Sequence, residues 1–275
     1  MITYNDYWLA HHGILNQKWG VRHGPPYPLG SDVSTGKRLI SGGSGKPSVK
    51  KDSSITKANR AIKAAANSGL GFKVKTREYT IDEDIKAVNP KYNPDAQGEE
   101  WQKYCENCCY CVTAYEMRRR GYDVKAKPRD NESKYHELTD WYENPNEAMF
   151  DFKEKRTRSF GKGGNLDEQP LKKPLKKDDI GISLFLSESY INRLPNGSRG
   201  FINLGWYFGG GHIISFEKDK GSITVVDPQS NDKYTWDEWA DGRFKDPYID
   251  YIARIDITRV DDVDIIPDKI KGACK

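Results

Sequence analysis

Cys108 opens the run Asn107-Cys108-Cys109-Tyr110-Cys111-Val112-Thr113-Ala114-Tyr115-Glu116-Met117-Arg118-Arg119-Arg120-Gly121. If a helix starts there, Cys108, Cys111, Val112 and Tyr115 recur at the 3.6-residue helical period and share one face. Cys111 then lies one turn inside and packs as a small hydrophobe. Cys108 lies at the N-terminus, where unpaired backbone N–H groups and the helix dipole favour a thiolate. The other end agrees, since Arg118, Arg119 and Arg120 complement the negative pole and Gly121 supplies a left-handed cap. Cys108 is therefore the nucleophile candidate, and a purely structural cluster of cysteines is the plainer alternative.

A thiolate needs a base, and the chain has five histidines. His11, His12 and His23 sit in the N-terminal arm and His136 in a charged stretch. His212 follows Gly209-Gly210-Gly211 and opens the alternating run His212-Ile213-Ile214-Ser215-Phe216-Glu217, which reads as a strand. Lys218 to Gly221 read as a turn, and Ser222 to Asp227 as the returning strand. With Asp219 and Lys220 as the turn residues, His212 stands opposite Asp227, with Cβ atoms roughly 4.5 to 5.5 Å apart. The carboxylate would hold the ring in one tautomer while the other nitrogen meets the thiol. A slip of one residue would send the two side chains to opposite faces, and a surface hairpin with an incidental His and Asp is the alternative. Gln229 could orient a substrate, donate to a developing oxyanion, or simply turn the chain.

These groups need elements to hold them. Helical spacing of Ala58, Ala61, Ile62 and Ala65 predicts a helix over 55–68, capped by Ser54 and stopped by Gly69 and Gly71. Residues 72–81 alternate like a strand, 82–87 could make a helical turn, and the proline-bearing 89–98 reads as a loop. Beyond the hairpin, Thr235 caps a short helix over 236–240, residues 248–260 alternate as a last strand, and the acidic run at 261–264 ends the fold. The expected class is α+β, with a helix carrying Cys108 packed on an antiparallel sheet carrying His212 and Asp227.

Composition narrows the functions. The 275 residues suit one main domain with an appendage, and 44 basic against 40 acidic side chains leave a net charge of +4, too small to argue for a nucleic-acid binder. No stretch approaches the ~18 apolar residues of a membrane span, and the N-terminus lacks the apolar core of a secretory signal, so a soluble product made in the cytoplasm is expected. Cys105, Cys108, Cys109, Cys111 and Cys274 are wrongly spaced for a disulfide framework. No second Cys or His pair with ligand spacing accompanies them, so no metal and no cofactor is expected.

Residues 1–30 form an aromatic-rich arm, 31–54 a Gly, Ser, Lys and Pro linker, and 55–275 the main domain with a charged insertion at about 127–180. Lys172 to Lys177 could meet an acidic partner but read more simply as a solvated loop. The adjacent His11 and His12 lack acidic or cysteine company and read as solvent-facing or hydrogen-bonding groups. The run Leu9-Ala10-His11-His12-Gly13-Ile14-Leu15-Asn16-Gln17-Lys18-Trp19-Gly20-Val21-Arg22 resembles a segment found at an end of structural and virion-associated proteins of bacteriophages that infect Gram-positive bacteria. The resemblance implies docking to a phage structural protein or packaging in a particle; an arm lying on the main domain is the alternative.

A second resemblance covers about residues 84–258, with interruptions. Ala87-Val88-Asn89-Pro90, Asn107-Cys108 with Cys111, Ala114, Glu116, Arg118 to Gly121, Asp123-Val124, Gly200-Phe201, Trp206, Gly210-Gly211-His212 and Asp227-Pro228-Gln229 occur in that order. In this the chain is similar to the papain-fold toxins, or toxin glutamine deamidases, of bacterial polymorphic toxins. The resemblance implies a papain-like fold, Cys108 as nucleophile, His212 as base, Asp227 as third member, and a protein substrate, and an immunity protein could accompany it. Asn107 and Gln229 are the supporting or oxyanion candidates, and Gln102, six positions before Cys108, is a match by position only. The expected activity is deamidation of glutamine side chains. A cysteine protease of the same fold and a non-catalytic phage packaging protein are the alternatives.

Overall fold

The computed structural model describes residues 53–129, 149–152, 157–160, 174–207, 211–244 and 251–275. The N-terminal arm, the linker up to residue 52, His136, Gly209, Gly210 and the expected strand start at 248–250 lie outside them, as does most of the charged insertion.

Four helices come first: α1 (Ser53–Asn67), α2 (Ile81–Val88), α3 (Gly98–Cys105) and α4 (Cys108–Arg119). The two-residue β1 (Phe150–Asp151), the edge strand β2 (Thr157–Phe160) and α5 (Lys177–Arg193) follow. Then β3 (Arg199–Trp206), β4 (Gly211–Asp219), β5 (Ser222–Asp227), β6 (Asp232–Thr235), α6 (Trp236–Phe244), β7 (Ile252–Arg259), β8 (Asp264–Ile265) and α7 (Pro267–Ala273) complete the order. Six strands form one antiparallel sheet in the order β2-β7-β3-β4-β5-β6, while β1 pairs with β8. The class is α+β.

The sheet is covered on both faces, and β3 and β7 are buried along nearly their whole length. Phe201, Ile213 and Val226 pack with the core residues of α2 and α4. Ile202, Leu204, Ile214, Phe216, Val225, Ile255 and Ile257 join a second cluster with Ile180, Leu184 and Ile191 of α5 and Trp236 and Trp239 of α6.

Several expectations change. Residues 72–81 contribute only an isolated bridge, Val74 to Tyr122, because Phe72, Val74 and Ile81 pack on the helices and find no neighbouring strand to extend. The turn expected at 82–87 is the full α2, closed by a capping box between Thr80 and Glu83. Residues 98–105, beyond the proline loop, form α3. The fold does not end at the acidic run, since β8 and α7 follow and bury Ile270, Ala273 and Cys274. The helix after Thr235 runs to Phe244, with Thr235 and Glu238 hydrogen-bonded reciprocally at its start. Parts of the middle of the charged insertion are built into the fold: Met149 and Phe150 are core residues, and β2 pairs with β7.

Helix α4 is locked at its C-terminus. The Tyr122 N–H reaches the Met117 carbonyl and the Gly121 N–H reaches that of Arg118, the paired bonds of a Schellman cap, with Gly121 at φ 101°. Arg118, Arg119 and Arg120 do more than complement the dipole. Arg118 and Arg119 meet the fully buried Asp84 of α2, which also receives Lys75, while Arg120 binds Glu116 and the carbonyls of Val260 and Val263. Burial lowers Lys75 to a pKa of about 8, against the opposing attraction of Asp84.

Candidate active site

The start of α4 meets one end of the sheet. Cys108 is the first residue of α4, His212 the second of β4 and Asp227 the last of β5. Glu116 fixes the helix to β3 through a two-point bond with Arg199, at 2.8 and 2.9 Å. Tyr115 and Arg119 both bind Glu217 on β4, at 2.7 and 2.6 Å. These contacts fix the middle and far end of α4 against β3 and β4.

His212 and Asp227 meet by a register different from the expected one. The pairs Ser215 to Val226 and Asp219 to Ser222 place the turn at Lys220 and Gly221, one residue further along. Both have positive φ, 49° and 84°, which is the backbone of a type I′ turn and explains why the glycine takes the second central position. His212 and Asp227 thereby become diagonal neighbours instead of opposed ones. The shift is two residues in the pairing, so both side chains stay on one face, and a diagonal gap is within reach of an imidazole. The His212 Nε2 to Asp227 Oδ2 distance is 2.7 Å.

With Nε2 held by the carboxylate, Nδ1 is the nitrogen left for the thiol, and Cys108 and His212 are hydrogen-bonded. A hydrogen bond with Cys109 acts first to lower the Cys108 pKa; burial opposes it, and the bond and charge of His212 and the Ile213 N–H lower it further, leaving it well below an ordinary thiol. For His212, burial disfavours the charge, but Asp227 and then Cys108 outweigh it and push the pKa up to about 10. Asp227 is held below the usual carboxylate range, because the His212 charge and bond, with the N–H groups of Gln229 and Ser230, overcome burial. A thiolate facing an imidazolium is the favoured state of the pair. Cys105, Cys111 and Cys274 behave oppositely: burial raises Cys105 to about 11, Cys274 to about 12, and Cys111 far above the ordinary value.

The supporting candidates separate. Asn107 is fully buried and committed to the fold: its amide nitrogen donates to the Lys127 carbonyl at 3.0 Å and its oxygen accepts the Cys111 S–H at 3.3 Å. It does not cap α4 with its side chain, and the Lys127 carbonyl takes one of its two amide protons. Gln229 differs. Its backbone N–H donates to Asp227 Oδ1 at 3.0 Å, while its side-chain nitrogen is buried with no partner among the described residues. A buried donor without an acceptor is costly and is suited to receiving an oxygen from a bound molecule. Gln102 lies on α3 with its side chain exposed.

Asn89, a loop residue and part of the Ala87 to Pro90 motif in the sequence, has no site role assigned from it. It is 1 % exposed, and its amide nitrogen donates to the carbonyls of Tyr104 and Gln229 at 2.8 and 3.0 Å. The signal available was its spacing: Asn89 caps α2 one and four residues after the buried Val88 and Ile85, so a polar side chain continues an apolar face next to Pro90.

Among the described residues no group of acidic, His and Cys side chains could hold a metal ion, and no helix is long and apolar enough to cross a membrane. No protein-family model matches the chain, and no similar sequence is found among curated proteins.

Proposed function

We propose that the protein is a cysteine amidohydrolase of papain-like fold, a toxin or effector that deamidates glutamine side chains of a target protein. The observation that carries the reading is the hydrogen-bonded chain from Cys108 through His212 to Asp227, with the thiol at the start of a helix and its pKa depressed. The Cys108 thiolate attacks the carboxamide carbon, and the carbonyl oxygen takes the electron pair. The side-chain nitrogen of Gln229 supplies a donor for that oxygen. As the tetrahedral intermediate collapses, the His212 imidazolium gives its proton to the departing nitrogen, which leaves as ammonia. Neutral His212 then takes a proton from water, whose oxygen attacks the thioester carbon. Collapse releases glutamate and restores the thiolate and imidazolium. Asp227 holds the ring and its charge throughout.

The experiment is intact-mass spectrometry of candidate host proteins treated with wild-type protein and with Cys108→Ala. Deamidation adds about one mass unit per site and releases ammonia, only with Cys108 present. Cleaved fragments would favour a protease of the same fold. No change in any protein, with a Cys108→Ala protein that supports phage assembly like wild type, would favour the packaging role and end the enzymatic reading.

A further inference from the structure

The groups of the site close into a ring. Cys108 bonds to His212, and His212 Nε2 lies 2.7 Å from Asp227 Oδ2. The other carboxylate oxygen, Oδ1, accepts the Gln229 N–H at 3.0 Å. The carbonyl of that same residue accepts from Asn89 Nδ2 at 3.0 Å, and Asn89 Nδ2 also lies 3.4 Å from Asn107 Oδ1. Asn107 is covalently attached to Cys108, so the path returns to the nucleophile.

The bond from Asn89 to Asn107 is the weakest link, because one amide group with two protons faces three acceptors. A second route runs beside it: the shortest bond of Asn89, 2.8 Å, goes to the Tyr104 carbonyl, in the last turn of α3, and α3 leads directly into α4. Both routes bind the nucleophile helix to the loop after β5. The helix and that loop are far apart in sequence, and the Asn89 bonds span 18 and 140 residues. The anchors described above, Glu116 to Arg199 and Tyr115 to Glu217, hold the middle and far end of α4, at least one turn away from Cys108. Asn89 is the side chain that ties the near end to the segment carrying the third member of the site.

We propose that Asn89 is a positioning residue that holds His212 and Asp227 in register with Cys108. It touches no reacting atom. It acts by fixing both sides of the Gln229 peptide, whose N–H orients Asp227 while its carbonyl is held by Asn89, and so keeps the imidazole aimed at the sulfur. The inference rests on the proposed nucleophile and base, and it adds a requirement that the three-residue site alone does not contain.

The test reads the thiolate and not the fold alone. The ultraviolet thiolate absorbance of the full chain is titrated for wild type, Asn89→Ala, Asn89→Ser and His212→Ala, and thermal unfolding of each is followed by circular dichroism. In Asn89→Ala the midpoint of thiolate formation rises by about one pH unit, and alkylation of Cys108 by iodoacetamide at neutral pH slows about tenfold. Asn89→Ser, which keeps a short donor, recovers part of the shift. His212→Ala gives the upper limit of the shift. A lowered melting temperature with an unchanged thiolate midpoint would mark Asn89 as merely structural and overturn the proposal, as would failure of both Asn89 variants to fold. If wild type itself shows no thiolate at neutral pH, the reading of Cys108 and His212 falls first, so the two failures are told apart.

Discussion

At Cys108 burial opposes charge and hydrogen bonds favour it, and the favourable side wins because its partners are fixed before any substrate arrives. The sign of the pH dependence follows. Cys108 is deprotonated above its lowered pKa, and His212 stays protonated until pH rises through about 10. On the proposed mechanism, activity should therefore hold across neutral pH, fall on the acid side as the thiolate is protonated, and fall on the alkaline side near pH 10 as His212 loses the proton that the leaving nitrogen would take. A pH–rate profile whose acid limb lies at about 8.5, the ordinary thiol range, would contradict the paired state. Ultraviolet titration gives an independent check: Cys108→Ala should remove the absorbance present at neutral pH, since Cys105 and Cys274 ionise only near 11 and 12.

Among the elements, the cap of α4 and the hairpin show what the sequence disclosed and what it concealed. The helix start at Cys108 and its glycine cap were both legible, because a dipole, a run of arginines and a glycine are local signals. The Schellman cap also carries a close approach: a Cβ on Gly121 would meet the Ala61 backbone at 2.8 Å, besides the strain of a φ of 101°. Gly121→Ala should cost roughly 1 to 3 kcal/mol, measurable as a lower midpoint in urea unfolding, and a neutral outcome would mean that α1 does not rest on that turn. The hairpin was legible as two strands but not in register. The turn reads as Lys218 to Gly221 with Asp219 and Lys220 at its centre, whereas backbone twist selects Lys220 and Gly221. The pairing of His212 with Asp227 survived only because an even shift preserves the face.

Across the whole molecule, the α+β class was readable from patterning, but β3, α3, α5 and α7 were not singled out. An internal strand such as β3, Arg199–Trp206, is buried on both faces and shows no alternation, and although it pairs with the adjacent β4, its other partner, β7, lies some fifty residues later, where no local signal announces the pairing. The buried charge networks were equally hidden, because Asp84 and Glu116 acquire their partners only by folding. Glu116 illustrates their cost and use. Burial works against its charge, but Arg199 and Arg120 hold its pKa at about 2. A depressed carboxylate stabilises the fold fully above its unfolded value of about 4.3, and that contribution is lost as pH falls toward 2. Glu116→Gln should lower stability at neutral pH by about 3 to 5 kcal/mol, as two arginines lose their carboxylate, and flatten the loss of melting temperature between pH 4.3 and 2. An unchanged acid limb in that variant would mean that other carboxylates dominate it.

The most direct test of the central claim asks whether Cys108 recognises a side-chain carboxamide as an electrophile. A diazoketone that mimics glutamine is incubated with the full chain, and the intact mass and modified peptide are read. One adduct per chain, on Cys108, formed at neutral pH and lost in both Cys108→Ala and His212→Ala, is the predicted result. No adduct, or labelling of Cys105 at a rate that His212→Ala leaves unchanged, would contradict the account.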